Sequence, residues 1–234
     1  MVEWNLHFSI TKMKTVYQFK TKPANNPFAP EFNYILLEGQ CFTEDECLDI
    51  KEYLLYQEKY LLEKLKDKPA LDGNTGLGEN SITAKFPYFS VFDFNHKLVS
   101  KIKSSIVEHF NDILKISNLS WHSHLYAQSW FNVMRPGQKI NFHAHGVNED
   151  ILYGFHITIS TEETSTIYHN PFDHRQTIDI PNKVGYITLF PNFIPHQTTV
   201  YNGSDVRISI AGDIVDSSSL SKKEYGIYRE VGFL

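Results

Sequence analysis

Three histidines have the spacing to form a metal site. His143 and His145 are separated by one residue in a stretch typical of the end of a strand. Because side chains alternate along a strand, both imidazoles are expected on one face. His196 begins a later predicted strand, and imidazole is a common metal ligand. The pattern predicts a site shared by a histidine pair and a distant single histidine. The competing interpretation is two surface histidines and one core histidine.

An arginine and a serine follow His196 on the last predicted strand. Arg207 and Ser209 are again separated by one residue, so alternation places them on the same face. A guanidinium grips a carboxylate through two hydrogen bonds, and a hydroxyl can add a third. A buried arginine without an anion is costly. The pair therefore indicates a site for a carboxylate inside a barrel, and the alternative is an exposed arginine on an edge strand.

Two helices are predicted before these residues. Thr43 followed by Glu46 is typical of a capping box at the start of a helix that ends before Pro69. A second helix is predicted after Asn95, and a loop from Asp67 to Ser81 separates the two. Both helices carry an apolar stripe: Cys47, Ile50, Leu54, Leu61 and Leu65 on the first, and Leu98, Ile102, Ile106, Phe110 and Ile113 on the second.

Short strands are predicted from Trp121 onward. Eight alternating or β-branched runs are punctuated by turns such as Pro136-Gly137 and Asn202-Gly203. They cover residues 124–134, 138–145, 152–160, 164–169, 176–180, 184–190, 196–201 and 206–214. Helices followed by strands predict an α+β, mainly β fold, and the strand run is typical of a sandwich or jelly roll.

Composition narrows the class of protein. The chain has 234 residues, 41% of them hydrophobic, which suits a single domain with a full core. Its net charge of −5 argues against nucleic-acid binding. No apolar run long enough to cross a membrane and no signal-peptide pattern is present, so a cytoplasmic location is expected. Cys41 and Cys47 are expected to be reduced thiols.

Taken together, these residues resemble the Fe(II)- and 2-oxoglutarate-dependent oxygenases, and more narrowly a group of such oxygenases from phages and marine bacteria. The likeness covers about residues 121–215. It lies in Ser129-Trp130-Phe131-Asn132, Gly137, His143-Ala144-His145, Gly154, Gly185 to Pro191, His196 and Arg207-Ile208-Ser209. It implies a double-stranded β-helix over 121–215, with residues 1–120 as an N-terminal extension with supporting helices and 216–234 as a C-terminal tail.

The resemblance also implies residue roles. His143 and His196 would bind Fe(II), and Arg207 with Ser209 would hold the distal carboxylate of 2-oxoglutarate. Asn132 would contact the cosubstrate or the substrate. The reaction implied is hydroxylation of a small molecule or peptide, with succinate and carbon dioxide released. The identity of the substrate and the oligomeric state stay open. Two further residues, Tyr153 and His156, are predicted to line the pocket.

The chain departs from the resemblance at the third ligand. Most members have Asp or Glu two residues after the first histidine, where this chain has His145. Either His145 completes a set of three neutral ligands, or it lies behind the ligands without binding the metal. In the second case the set is incomplete, or Glu149 or Asp150 supplies the carboxylate. The segments from Asp67 to Ser81 and 146–152 are predicted lids.

Two other classes of protein remain as alternatives. The spacing Gly137, His143, His145, Glu149 and Gly154 also resembles the first cupin motif, which would give a metalloprotein that binds metal through three histidines, with or without Glu149. A non-catalytic binding module on the same barrel is the third interpretation. The discriminating residue is Arg207, which a cupin does not need and 2-oxoglutarate does.

Overall fold

Two antiparallel sheets face each other and form the frame of the protein. The computed structural model describes residues 14–21, 31–145, 151–220 and 227–234. The strands in these ranges are β1 (Thr15–Lys20), β2 (Asn33–Gln40), β3 (His124–Met134), β4 (Tyr153–Ser160), β5 (Ser165–Asn170), β6 (Asp173–Pro181), β7 (Tyr186–Pro191), β8 (His196–Thr198), β9 (Arg207–Asp216) and β10 (Arg229–Phe233). The larger sheet has the order β1-β2-β7-β4-β9-β3-β10, and the smaller has the order β6-β5-β8.

Helices cover one face of the larger sheet. Helix α1 spans Glu44–Lys64, α2 spans Val99–Ile116, and the short α3 spans Ser217–Leu220. The capping box of Thr43 and Glu46 is present at the start of α1, as predicted. Every residue of both predicted apolar stripes is buried. Two 3₁₀ turns, Thr83–Tyr88 and Val91–Asp93, connect the helices. None of the helices in the described ranges has the length and apolar character needed to span a bilayer.

An apolar cluster lies between the two sheets. It combines residues of the larger sheet with residues of the smaller sheet and its connections: Phe19, Leu36, Phe190, Tyr168, Ile180 and Ile194. Since β3 and β9 are covered by helices on one side and by the pocket and small sheet on the other, nearly all of their residues are buried. The predicted mainly β architecture with packed helices is confirmed.

Three strands and one irregular segment differ from the sequence prediction. β1 and β2 precede the helices and extend the larger sheet at one edge, while β10 pairs with β3 at the other. Residues 138–145 form no strand, although His143 makes an isolated bridge with His196. The larger sheet thus draws strands from all three predicted segments of the chain, 1–120, 121–215 and 216–234.

Candidate metal centre

Backbone hydrogen bonds hold the three predicted metal ligands together. His143 N donates to His196 O at 3.0 Å, and His196 N donates to His143 O at 2.8 Å. His145 N donates to Asn192 O at 3.2 Å. One nitrogen from each of the three histidines lies within 4.8 Å of the other two. The structure therefore brings His143, His145 and His196 to one point, although the first two lie in an irregular segment rather than in a strand.

The Nδ1 atoms of the three rings are all engaged away from this point. His143 Nδ1 lies 2.8 Å from Asn141 O, and His196 Nδ1 lies 3.1 Å from Ile194 O. Because a carbonyl oxygen only accepts hydrogen bonds, both Nδ1 atoms must carry the proton in the neutral ring. The lone pair is then on Nε2. This is the tautomer in which Nε2 binds a metal.

Burial keeps two of these rings neutral. Desolvation, followed by repulsion from His145, lowers the pKa of His143 to about 4. Desolvation and the neighbouring histidines lower the pKa of His196 well below its ordinary value. A metal ion binds the neutral imidazole, so no proton has to be displaced near neutral pH. Three imidazole nitrogen donors on two adjacent segments suit a first-row divalent ion.

The third ring has a carboxylate partner that sequence reasoning missed. His145 Nδ1 lies 2.6 Å from Asp213 Oδ1, and both side chains are largely buried. Asp213 stands on β9, six residues beyond Arg207. The period of two that relates Arg207 to Ser209 continues through Ala211 to Asp213. That continuation was the signal from which the carboxylate could have been found.

Arg207 is buried in the wall of the same pocket. Its side chain is 2% exposed, with Nε donating to Thr164 Oγ1 at 3.3 Å and Nη1 lying 3.3 Å from Met134 Sδ. No carboxylate of the described residues forms an ion pair with it. Burial lowers the pKa of Arg207 to about 10, which still leaves the guanidinium charged at neutral pH. A buried charge in this state calls for an anionic ligand.

Asn132 and Ser209 lie beside Arg207 because β3 and β9 pair in register. Asn132 is opposite Ser209 and Met134 is opposite Arg207. Asn132 Nδ2 donates to Ser209 Oγ at 3.3 Å, and Thr83 Oγ1 donates to Asn132 Oδ1 at 2.8 Å. All of these polar groups are buried. The amide and the hydroxyl are thus positioned next to the charged group.

One pocket contains both the histidine cluster and Arg207. Its empty volume is about 460 Å³. The polar residues that line it are Thr75, Asn132, His143, His145, His156, Thr166, His196, Thr198, Arg207 and Ser209, and the apolar ones are Trp130, Ile140, Phe155, Phe190 and Ala211. A metal centre and a receptor for an anion therefore share one chamber.

The two predicted pocket-lining residues of β4 have different surroundings. His156 lines the pocket, with Nε2 2.6 Å from the Tyr168 hydroxyl and a buried Nδ1 that has no partner among the described residues. Burial, with repulsion from Arg207, lowers the pKa of His156 to about 3. Tyr153 is not among the pocket residues. Its ring packs against Phe110 of α2 at 5.4 Å between centroids, because that face of the strand meets the helix.

The predicted lid from Asp67 to Ser81 borders a second cavity beside the histidines. Thr75 O accepts a hydrogen bond from Asn141 N at 2.8 Å, which ties the loop to the segment that precedes His143. The loop itself is closed by Asp72, which accepts from Gly76 N at 2.6 Å. This cavity has an empty volume of about 580 Å³. It is lined by Asp72, Gly73, Thr75, Thr83, Phe86, Trp130, His143, Ala144, His145 and Asp213.

The alternative carboxylates Glu149 and Asp150, with most of the predicted lid at 146–152, lie outside the described residues. The histidine pair His122 and His124 is not part of the cluster. His124 Nδ1 instead contacts Glu230 Oε1 at 2.6 Å on the protein surface.

No family model matches the chain, and no curated protein matches it. Among solved structures, the non-heme α-ketoglutarate-dependent carbocyclase SnoK from nogalamycin biosynthesis matches with a TM-score of 0.52 and 12% identity, over 83% of this chain and 91% of that one. A Pseudomonas putida prolyl-4-hydroxylase matches with a TM-score of 0.48 and 9% identity, over 77% and 88%. For a 2OG-Fe(II) oxygenase family oxidoreductase from Burkholderia pseudomallei the values are 0.41 and 12%, over 52% of this chain and 60% of that one.

The SnoK match has low identity but covers most of both chains, so it is a likeness of fold. The double-stranded β-helix predicted from the sequence is thus confirmed as the fold of this chain, which resembles the fold of that carbocyclase.

Proposed function

We propose that this protein is an oxidoreductase that uses Fe(II) and 2-oxoglutarate to hydroxylate a small molecule or a peptide. The observation that carries the proposal is Arg207, a buried cation without an ion-paired partner in the described residues. It lines the same pocket as three histidines, each of which has one ring nitrogen within 4.8 Å of those of the other two. A dicarboxylate that chelates the metal at one end would satisfy both features.

Different residues would bind the metal and the cosubstrate. His143, His145 and His196 would hold Fe(II), and Arg207 with Ser209 would hold the distal carboxylate of 2-oxoglutarate. Asn132 would orient Ser209, to whose hydroxyl it donates. When bound, iron and 2-oxoglutarate supply an oxidation in which 2-oxoglutarate and O₂ yield succinate, carbon dioxide and a hydroxylated substrate.

The second cavity would receive the substrate. It reaches His143 and His145 from the side of the Asp67 to Ser81 loop, and the pocket of Arg207 reaches them from the interior. Trp130 borders both spaces, so the indole would separate cosubstrate from substrate. The loop would then select the substrate. We place this reaction in the cytoplasm, in keeping with the buried thiol of Cys47.

The test is a titration of the Fe(II)-loaded protein with 2-oxoglutarate under nitrogen, followed by the metal-to-ligand absorption band. Arg207→Met should bind the metal normally but lose 2-oxoglutarate affinity by about 2–5 kcal/mol, tens- to several thousand-fold, because the distal carboxylate is left desolvated and unpaired. The matched control is Arg175→Met, since Arg175 is exposed and pairs with Asp173. That variant should titrate like the wild type.

The outcomes separate this function from its alternatives. Succinate formation together with the Arg207 effect supports the oxygenase. Metal binding with no absorption band in either protein would favour a cupin-type metalloprotein. A protein that binds neither metal nor 2-oxoglutarate would be a binding module on the same barrel. Equal affinity in the wild type and in Arg207→Met would remove the assignment of the anion site.

A further inference from the structure

His145 differs from the other two candidate ligands in what holds its ring. The Nδ1 atoms of His143 and His196 donate to main-chain carbonyls, whereas Nδ1 of His145 lies 2.6 Å from the carboxylate of Asp213. The side chains of His145 and Asp213 are 7% and 12% exposed, so water screens this contact little. Asp213 is not one of the mutually close ligand residues. Its carboxylate lies behind the ring and does not join the cluster.

We propose that Asp213 is a positioning residue of the metal centre that acts through His145. As an acceptor, it fixes the proton on Nδ1 and directs the Nε2 lone pair of His145 toward the metal. Behind three neutral imidazoles, it also supplies one negative charge. The charge of a divalent ion with its nearest residues then falls from +2 to +1, the value that two histidines and one carboxylate ligand would give. The proposal rests on the metal-binding part of the proposed function and is independent of 2-oxoglutarate.

The surrounding residues are built to keep this contact. On β9, Asp213 pairs with Gly154 of β4 and Gln128 of β3, so its backbone is fixed on both sides. A Cβ atom at Gly154 would lie 3.2 Å from His145 Nδ1 and 2.7 Å from the Phe190 ring. Glycine thus leaves the space that the imidazole occupies.

Aromatic rings enclose the imidazole itself. The ring centroid of His145 lies 5.7 Å from that of Trp130 and 5.6 Å from that of Phe190. Because these two rings confine the imidazole, it can adopt few orientations other than the one in which Nδ1 contacts Asp213. The same rings lower the local dielectric, which strengthens the interaction between the carboxylate and a bound cation.

The first experiment measures Co(II) affinity under nitrogen. Asp213→Asn keeps an acceptor oxygen and a similar volume but removes the charge. We expect its affinity to fall about 10- to 100-fold. The matched control is Asp216→Asn, because Asp216 is on the same strand, is equally buried and binds Ser218 and Ser219 instead of a histidine. Wild-type affinity in Asp213→Asn would overturn the proposal, as would an equal loss in Asp216→Asn.

A second variant pair tests the charge directly. His145→Asp alone would place two carboxylates close together, and like charges in a buried site repel. We expect it to bind Co(II) more weakly than the double variant His145→Asp with Asp213→Asn, which again has one carboxylate and two histidines. If the single variant binds as tightly as the double, Asp213 carries no charge that the site senses.

The unmodified protein provides a readout that does not depend on any variant folding. In the Zn(II)-loaded protein, long-range proton–nitrogen NMR spectra should show His145 metallated at Nε2 and protonated at Nδ1. Metallation at Nδ1 would overturn the proposal. This inference and the proposed function fail separately. If Arg207→Met binds 2-oxoglutarate as tightly as the wild type while the Co(II) and NMR results are as expected, only the proposed function is removed. If Asp213→Asn binds Co(II) normally, only the role of Asp213 is removed.

Discussion

At the scale of single residues, histidine substitutions test which side chains bind the metal. His196→Ala should abolish Co(II) binding while the protein stays folded, since each histidine offers one of the three donors that the described residues bring together. The measurement is a Co(II) titration together with circular dichroism. The control is His124→Ala, because His124 contacts Glu230 outside the cluster. Retained affinity in His196→Ala, or its loss in His124→Ala, would show that the site is wrongly assigned.

The burial of His156 predicts how the stability of the protein depends on pH. Its pKa is lowered to about 3 by burial, so the folded state resists protonation while the unfolded state takes up a proton near the ordinary pKa of 6.5. Its contribution to stability is therefore complete above pH 6.5 and is lost as the pH falls from 6.5 toward 3.

Urea unfolding of the metal-free protein between pH 7 and pH 4 checks this sign. His156→Gln retains a partner for the Tyr168 hydroxyl but does not titrate. The free energy of unfolding should therefore depend less on pH in the variant, by up to about 1.4 kcal/mol per pH unit below pH 6.5. Parallel curves for the two proteins would mean that His156 is not buried as a neutral ring.

At the scale of elements, the sequence predicted those whose periodicity is strong. The helix stripes and strands β3 to β9 were found because packing on one face or two leaves a regular apolar pattern. β1 has a single buried residue, Phe19, so its sequence carries little of that pattern. β10 likewise buries only Val231. Both are edge strands whose positions are set by the neighbouring strand.

The candidate site was predictable in its residues and not in its geometry. The spacing of His143 and His145 indicated convergence, although a strand was the wrong reason: the segment is held by a bridge to His196 and by the Asn192 carbonyl. Asp213 belongs to the same strand face as Arg207, but nothing local in the sequence tells which side chain it meets. Contacts between distant segments of the chain depend on tertiary packing.

Gly154 on β4 makes a prediction about how strand packing supports the site. Gly154→Ala would press a methyl group against Phe190 and His145, so the free energy of unfolding should fall by about 1–3 kcal/mol and Co(II) affinity should fall with it. The control is Thr43→Ala, which removes the cap of α1 at a cost of about 1 kcal/mol. That variant should lose stability and keep its affinity. Unchanged affinity in Gly154→Ala would separate strand packing from metal binding.

At the scale of the whole molecule, the buried charge in the ligand pocket lowers the free energy of unfolding of the ligand-free protein. A buried guanidinium without an anion costs the ligand-free protein free energy. Arg207→Met should therefore raise the free energy of unfolding of the ligand-free protein by about 1–3 kcal/mol, although it abolishes the anion site. Urea denaturation of both proteins without metal or 2-oxoglutarate measures the difference. If the variant is less stable, the contacts of Arg207 with Thr164 and Met134 support the fold rather than wait for a ligand.

The pairing of β3 with β9 determines how this protein must fold. Each residue of β3 from Leu125 to Met134 meets a partner on β9 that is far along the chain, and the intervening segment includes four other strands of the barrel and β8 with its histidine. Closing so long a loop is entropically costly before any contact rewards it. Chains dominated by such pairings fold slowly, on the order of milliseconds to seconds. Because Arg207, Ser209 and Asp213 are on β9, the anion pocket and the contact of Asp213 with His145 form only after β9 has joined the sheet, whereas the three histidines all lie on the segment before it.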